Sequence, residues 1–174
     1  KVREDEKRGW TARAAETLKA IDVGTLALLA GLFIVIDGLN RVGIIADISQ
    51  ALSHVGGGSP FLTYTIVVWA SVLFSAFIDN IPYTAAMLPV MAGAASTMGI
   101  DQTVLCFGLL VGATLGGNLT PVGASANIAA CGILRREGYE VSAGQFMRIG
   151  VPFTLTAVLT GYVLCWLFYA GLGV

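Results

Sequence analysis

Two polar clusters interrupt apolar sequence, and each carries residue types suited to binding an ion. The first lies in Ser75–Val90, SAFIDNIPYTAAMLPV. Asp79 and Asn80 stand together between apolar flanks, Pro82 follows at once, and Tyr83 and Thr84 add hydroxyls. This order predicts a helix starting here, capped by Asn80, with Pro82 in its opening turn. A helix start presents unpaired N–H groups and a partial positive charge, which suit an anion. The end of the preceding helix presents free carbonyls, which suit a cation. The second cluster is Gly112–Ala130, GATLGGNLTPVGASANIAA. Gly116 and Gly117 admit unusual backbone angles, and Pro121 cannot donate to a helix ladder. Asn118, Thr120, Ser125 and Asn127 place short polar side chains around that break.

Bond-breaking chemistry fits these residues poorly, so no enzyme is expected. A nucleophilic Ser125 needs a basic partner, and the only histidine, His54, lies in a distant polar turn. A proton-sharing carboxylate pair needs two acids about 3 Å apart. Asp37 is the other acid in an apolar run, and with Arg41 four residues on it reads as an interface residue paired to that arginine. Cys106, Cys131 and Cys165 lie in apolar runs without metal-ligand spacing and read as buried free thiols. No cofactor is implied.

The elements that hold the clusters are set by composition. Of 174 residues, 56% are hydrophobic and 12% charged, and the mean hydropathy is +0.79. A soluble domain is nearer 45–50% apolar and about 25% charged. The net charge of -1 offers no basic excess for nucleic acid. Lys and Arg are absent over the 93 residues from Val42 through Leu134. The solvent of this chain is therefore expected to be the lipid bilayer. The uncharged runs Phe61–Ile78, Ile81–Ile100, Thr103–Leu134 and Ile149–Val174 have 18, 20, 32 and 26 residues. A crossing needs about 17–25, so three or four crossings are expected, some of them broken.

The expected fold is an all-α polytopic membrane protein. Residues 1–20, mixed in charge, form a cytoplasmic linker, and residues 21–40 the first span. Residues 43–54 form an amphipathic interfacial helix, with Ile44, Ile45, Ile48 and Leu52 on one face and Asp47, Ser49, Gln50 and Ser53 elsewhere. Residues 61–98 form a helical hairpin and residues 103–134 a discontinuous helix. Gly108, Gly112 and Gly116, spaced by four, allow close packing on a neighbour. Arg135–Arg148 is a polar loop, and residues 149–172 form the last span with Pro152 in its first turn. Placing the basic N-terminal stretch and Arg135, Arg136 and Arg148 on one side puts the N-terminus in the cytoplasm and the C-terminus outside. The opening KVREDEKRGW has neither an initiator Met nor an apolar leader, and reads as starting inside a longer protein. Two interrupted apolar segments in one chain point to the midplane site of a secondary transporter.

An interfacial helix, then DNIPYTAAMLPV, then GGNLTPVGASANI, then a final span resembles the C-terminal half of the ion transporter superfamily. Arsenical-pump membrane proteins, D-type sodium/proton antiporters and the melanosomal P protein are the nearest in look. Citrate-type carriers and divalent anion/sodium symporters are more distant. The resemblance implies an inverted-repeat transporter of which this chain is one half, the N-terminal half being missing. It implies a re-entrant hairpin with Asp79, Asn80 and Thr84 at its tip, meeting a helix break that carries Asn118, Thr120, Ser125 and Asn127. It further implies a sodium site near Asn80, Gly117, Asn118, Ser125 and Asn127. The symporter relatives have a Ser-Asn-Thr triplet at the hairpin, where this chain has Asp79-Asn80-Ile81-Pro82 and keeps Thr84 farther on. A carboxylate there favours a cation or a titrating proton over a bare dianion. The expected function is secondary active transport of a small ion or anion by alternating access, coupled to sodium or protons. Sodium/proton antiport and a passive channel stand as alternatives. The resemblance also implies a prokaryotic inner (plasma) membrane as the location and a homodimer as the assembly.

Overall fold

The computed structural model describes residues 23–172, so the expected linker 1–20 lies outside the described residues. Seven α-helices and one 3-10 turn follow in order: α1 Val23–Arg41, α2 Ile44–Val55, α3 Pro60–Ser75, α4 Asn80–Met98, α5 Gln102–Gly116, the 3-10 turn Gly117–Leu119, α6 Ser125–Arg136 and α7 Ala143–Leu172. No strand occurs among the described residues. Two units are distinguished. The described part of the first, up to Val35, is a single apolar helical stretch of α1. The second, from Ile36 onward, contains all that follows.

Within the second unit, α3 and α5 pack most extensively. The cause is the glycine stripe. A Cβ at Gly112 would stand 2.4 Å from the Val68 carbonyl oxygen, and one at Gly116 would stand 2.6 Å from that of Val72. At Gly108 it would meet the Tyr64 ring at 2.8 Å. The backbones thus approach to a distance that any side chain would prevent. Ser75 Oγ donates across this seam to the Ala113 carbonyl. Around it, α4 packs on α2 and α5, and α7 packs on α5. Tyr64, Val68, Met91, Leu105, Leu109 and Val158 form the buried centre.

The outward faces are apolar as well. Leu73, Phe107, Leu110, Leu164 and Phe168 are all exposed, while Thr63, Ser71, Ser75, Thr120 and Thr154 are buried. Apolar outward faces are expected when the solvent is hydrocarbon, and buried polar groups then find partners only inside the protein; Thr154 Oγ1 has none among the described residues. Two described helices are long and apolar enough to cross a membrane, Gln102–Leu119 and Ala143–Tyr169. They become three if Leu26–Arg41 and Ile44–Val55 are counted as one broken span. The fold is that of an all-α membrane protein.

One helix shows a face that periodicity did not mark, and two expectations are corrected. The face of α2 buried against the protein is Ile45, Ser49 and Ser53, while Ile44 and Ile48 are 42% and 44% exposed. Ser49 Oγ donates to the Ile45 carbonyl at 2.7 Å and the Val90 carbonyl at 3.1 Å, and Ser53 Oγ to the Ser49 carbonyl at 3.0 Å. A serine that satisfies its hydroxyl on its own helix can be buried like an apolar residue. Gly93 of α4 makes room, since a Cβ there would lie 2.5 Å from Ser49 Oγ.

The last helix begins at Ala143, six residues before its expected start, so the Arg135–Arg148 stretch is not all loop. Ser142 Oγ accepts from the Gln145 backbone N–H at 3.3 Å, while Gln145 Oε1 accepts from the Ser142 backbone N–H at 3.0 Å. This reciprocal capping box starts the helix. Pro152 therefore lies inside the helix rather than in its first turn, and its missing N–H leaves the Arg148 carbonyl without a helical partner.

The second correction concerns the start of α4. Its N-cap is Asp79, with Asn80 the first helical residue. Asp79 and Asn80 are equally good caps by type, and the structure selects the residue whose second oxygen is needed elsewhere.

Candidate functional site

The clusters meet where α3 ends, α4 and α6 begin, and the 3-10 turn interrupts the chain. Helix α3 stops at Ser75 and α4 starts at Asn80, so four residues form the connection. Pro121 and the bends around it separate the 3-10 turn from α6. Both breaks leave backbone groups without helical partners.

Asp79 fills two of those vacancies at once. Its Oδ1 accepts from the Ile81 N–H of α4 at 3.2 Å. Its Oδ2 accepts from the Ser125 N–H, the first residue of α6, at 3.1 Å and also from the Ser125 hydroxyl. The N-cap position of α6 is Ala124, which has no side chain able to do this. One carboxylate thus caps its own helix and, across 46 residues of sequence, a second one. Two helix N-termini, each with partial positive charge, converge on a single anionic side chain.

Groups of opposite polarity lie beside it. Gly123 packs on the end of α3, where an added Cβ would stand 2.6 Å from the Gly117 carbonyl oxygen, 2.8 Å from that of Ala76 and 2.9 Å from that of Ser75. Thr120 Oγ1 donates to the Ala76 carbonyl and accepts from the Val122 N–H. Asn127 Nδ2 donates to the Gly117 carbonyl at 2.9 Å and the Thr120 carbonyl at 3.1 Å. The amide of Asn127 and the hydroxyl of Thr120 therefore neutralise a cluster of carbonyl oxygens that would otherwise attract a cation.

The expected site residues divide accordingly. Asp79 and Ser125 are joined directly, and Thr120 and Asn127 tie the break together and to the end of α3. Asn118 stands apart, with Nδ2 donating to the Leu115 carbonyl at 3.3 Å and its backbone against Gly150 of α7. Asn80 and Thr84 are partly buried beside the tip and make no side-chain hydrogen bond among the described residues. Asp37 pairs with Arg41 Nε at 2.7 Å on an exposed surface. Sequence reasoning missed Gly123 and Ser75. The run of short residues Gly123-Ala124-Ser125 was the only signal for the first. Among the described residues no cluster of His, Cys, Asp and Glu suited to a metal is present.

These features define an all-helical membrane protein built around broken helices whose ends meet. The comparisons name its family. Residues 11–106, more than half of the chain, match the family described as Citrate transporter. The chain belongs to the citrate transporter family. An uncharacterized transporter of Mycobacterium tuberculosis is 36% identical over 157 residues, which cover 89% of this chain and 37% of that protein. The 46 kDa membrane protein of Mycobacterium leprae is 34% identical over 158 residues, with the same coverage. The P protein of Homo sapiens is 33% identical over 160 residues, 88% of this chain and 19% of that protein. The chain thus spans little more than a third of the mycobacterial relatives it matches. No solved structure matches it.

Proposed function

We propose that this chain is one half of a secondary active transporter that moves a small ion or anion by alternating access, with sodium or protons as coupling ion. One observation carries the reading. The N-termini of α4 and α6, each suited to an anion, are already occupied by the Asp79 carboxylate. A proton or sodium ion that neutralises Asp79 frees both termini for an anionic substrate. Coupling ion and substrate then exchange for the same hydrogen-bond donors, which ties their movements together.

In this reading residues 61–98 form a re-entrant hairpin with Asp79, Asn80 and Thr84 at its tip, and residues 103–134 form the discontinuous helix. Asn118, Thr120, Ser125 and Asn127 complete the binding region. The carbonyls around Gly123 support a sodium site near Asn80, Gly117, Asn118, Ser125 and Asn127 once the Asn127 amide turns away. The other half of the transporter supplies the remaining wall, and a second copy completes a dimer. The location is a prokaryotic inner membrane with the N-terminus in the cytoplasm and the C-terminus outside. The names of the relatives, transporters and membrane proteins, support transport over catalysis.

The test is flux through the full-length protein in proteoliposomes, with a panel of small carboxylates and oxyanions under imposed sodium or proton gradients. Saturable, gradient-driven uptake is expected, and Asp79→Asn should abolish the coupling. Sodium efflux driven by protons without any anion would place the protein among antiporters, a reading the Asp79 carboxylate also favours. Unsaturable flux indifferent to gradients would make it a channel and overturn the proposal.

A further inference from the structure

A second feature lies away from the Asp79 junction and does not depend on the transport reading. A groove of about 890 Å³ opens between the C-terminal end of α6, the 137–142 connection and the first turns of α7. Its walls are mainly apolar and aromatic, from Leu134, Tyr139, Phe146, Ile149 and Phe153, and Arg148 lines it among them.

Arg148 stands where α7 changes character. The residues before it include the polar Ser142 and Gln145, and those after it run uncharged to the end of the chain. That change of hydropathy marks a bilayer interface. Arg148 forms no ion pair among the described residues. Glu140 also lines the groove, and no hydrogen bond or salt bridge joins it to Arg148. Arg135 lines the adjoining cavity, which shares Glu140 and Gln145 with this one. The basic side chains at this end thus outnumber the acidic ones.

We propose that the groove binds an anionic phospholipid, with the phosphate held by Arg148 and an acyl chain lying along Phe146, Ile149 and Phe153. The occupant is argued from complementarity. Basic pockets at the membrane interface between helices hold anionic headgroups. A groove this large and this apolar is filled poorly by a small ion, and well by an amphiphile with a charged head and a hydrocarbon tail. Gly150 keeps the floor shallow, since a Cβ there would stand 2.5 Å from the Asn118 carbonyl oxygen. The lipid therefore rests against the backbone of the 3-10 turn and bears on the helix break from outside.

The experiment is lipid retention by the full-length protein in detergent, measured by native mass spectrometry with added phosphatidylglycerol or phosphatidylcholine. Phosphatidylglycerol should be retained in preference, and Arg148→Gln should weaken that retention about fivefold. Phe153→Ala should weaken both lipids, which reports the acyl-chain contact. Inorganic phosphate in excess should leave retention unchanged, and if it displaces the lipid the site is a free-anion site and the proposal fails. Equal retention by wild type and Arg148→Gln, or no retention of either lipid by the full-length protein, also overturns it.

Discussion

Replacing Asp79 by Asn changes one atom's chemistry and should loosen one helix selectively. The Asn side chain can keep its oxygen on the Ile81 N–H, because Asn and Asp cap comparably. Its amide nitrogen then takes the place of Oδ2. The Ser125 hydroxyl can rotate and accept from that nitrogen, but the Ser125 backbone N–H faces a donor and loses its partner. A hydrogen bond to a charged group contributes about 1.5–3 kcal/mol. Asp79 is partly exposed and Ser125 exposed, so water recovers some of this and about 1–1.5 kcal/mol is lost. The charge at the α6 N-terminus adds about 0.3–1 kcal/mol. The sum, about 1.3–2.5 kcal/mol, corresponds to roughly 9- to 70-fold in the opening equilibrium of the first turn of α6. Hydrogen–deuterium exchange of the full-length protein reads this directly. Amides 125–127 should exchange that much faster in Asp79→Asn while the α4 start is unchanged, and in Asp79→Ala the Ile81 amide should accelerate as well. Exchange at 125–127 within twofold of wild type in both variants would refute the two-helix cap.

Other consequences are open to measurement on the full-length protein. Gly112→Ala forces a methyl against the Val68 carbonyl and should lower stability by about 1–3 kcal/mol. Gly132→Ala, in the open interior of α6, should raise it by about 0.5–1 kcal/mol. Thermal unfolding in detergent should therefore shift in opposite directions, and equal shifts would contradict the close approach of α3 and α5. Asn127→Asp removes the N–H donors from the Gly117 and Thr120 carbonyls and should melt no later than Asn127→Ala, each about 1–3 kcal/mol below wild type. An aspartate variant as stable as wild type would show that donation is not what matters there. Asp101, in the connection before α5, is held below its ordinary value of 3.8 by its hydrogen bonds from Thr103. Its folded pKa is depressed, so its stabilisation is present above the unfolded value and disappears as pH falls through the folded one. The melting-temperature gap between wild type and Asp101→Ala should be constant near neutrality and close below about pH 4. A gap that widens in acid would reverse the assignment.

Much of this was readable from residue order, for a reason that lies in the solvent. Lipid penalises every unpaired polar group, so the stretch without Lys or Arg and its interruptions mark membrane class and helix ends with little ambiguity. Asp79, Gly117 and Thr120 were marked as interesting by that logic. What stayed hidden is what two distant segments do to each other. Capping by Asp79 rather than Asn80 depends on Ser125 arriving 46 residues later, which local preference cannot express. The inward turn of Ser49 and Ser53 is invisible to periodicity, because a hydroxyl satisfied on its own helix is scored as polar. The early start of α7 was signalled by Ser142 and Gln145 at capping-box spacing, but the arginines on either side favoured a loop. Asn118 was grouped with its neighbours by proximity in sequence, yet its amide turns back to the Leu115 carbonyl of α5 and only its backbone meets α7.

The glycine seam sets how these helices can move. Its contacts recur every four residues, about 6 Å along the axis. At Gly112 and Gly116 only a hydrogen fits against the carbonyls of Val68 and Val72, so the close approach holds only while these glycines stay opposite them. The seam therefore resists displacement of α5 along α3 and fixes their register. A change of shape that kept this seam intact would carry α3 and α5 together, with the adjustment taken up at the helix ends around it.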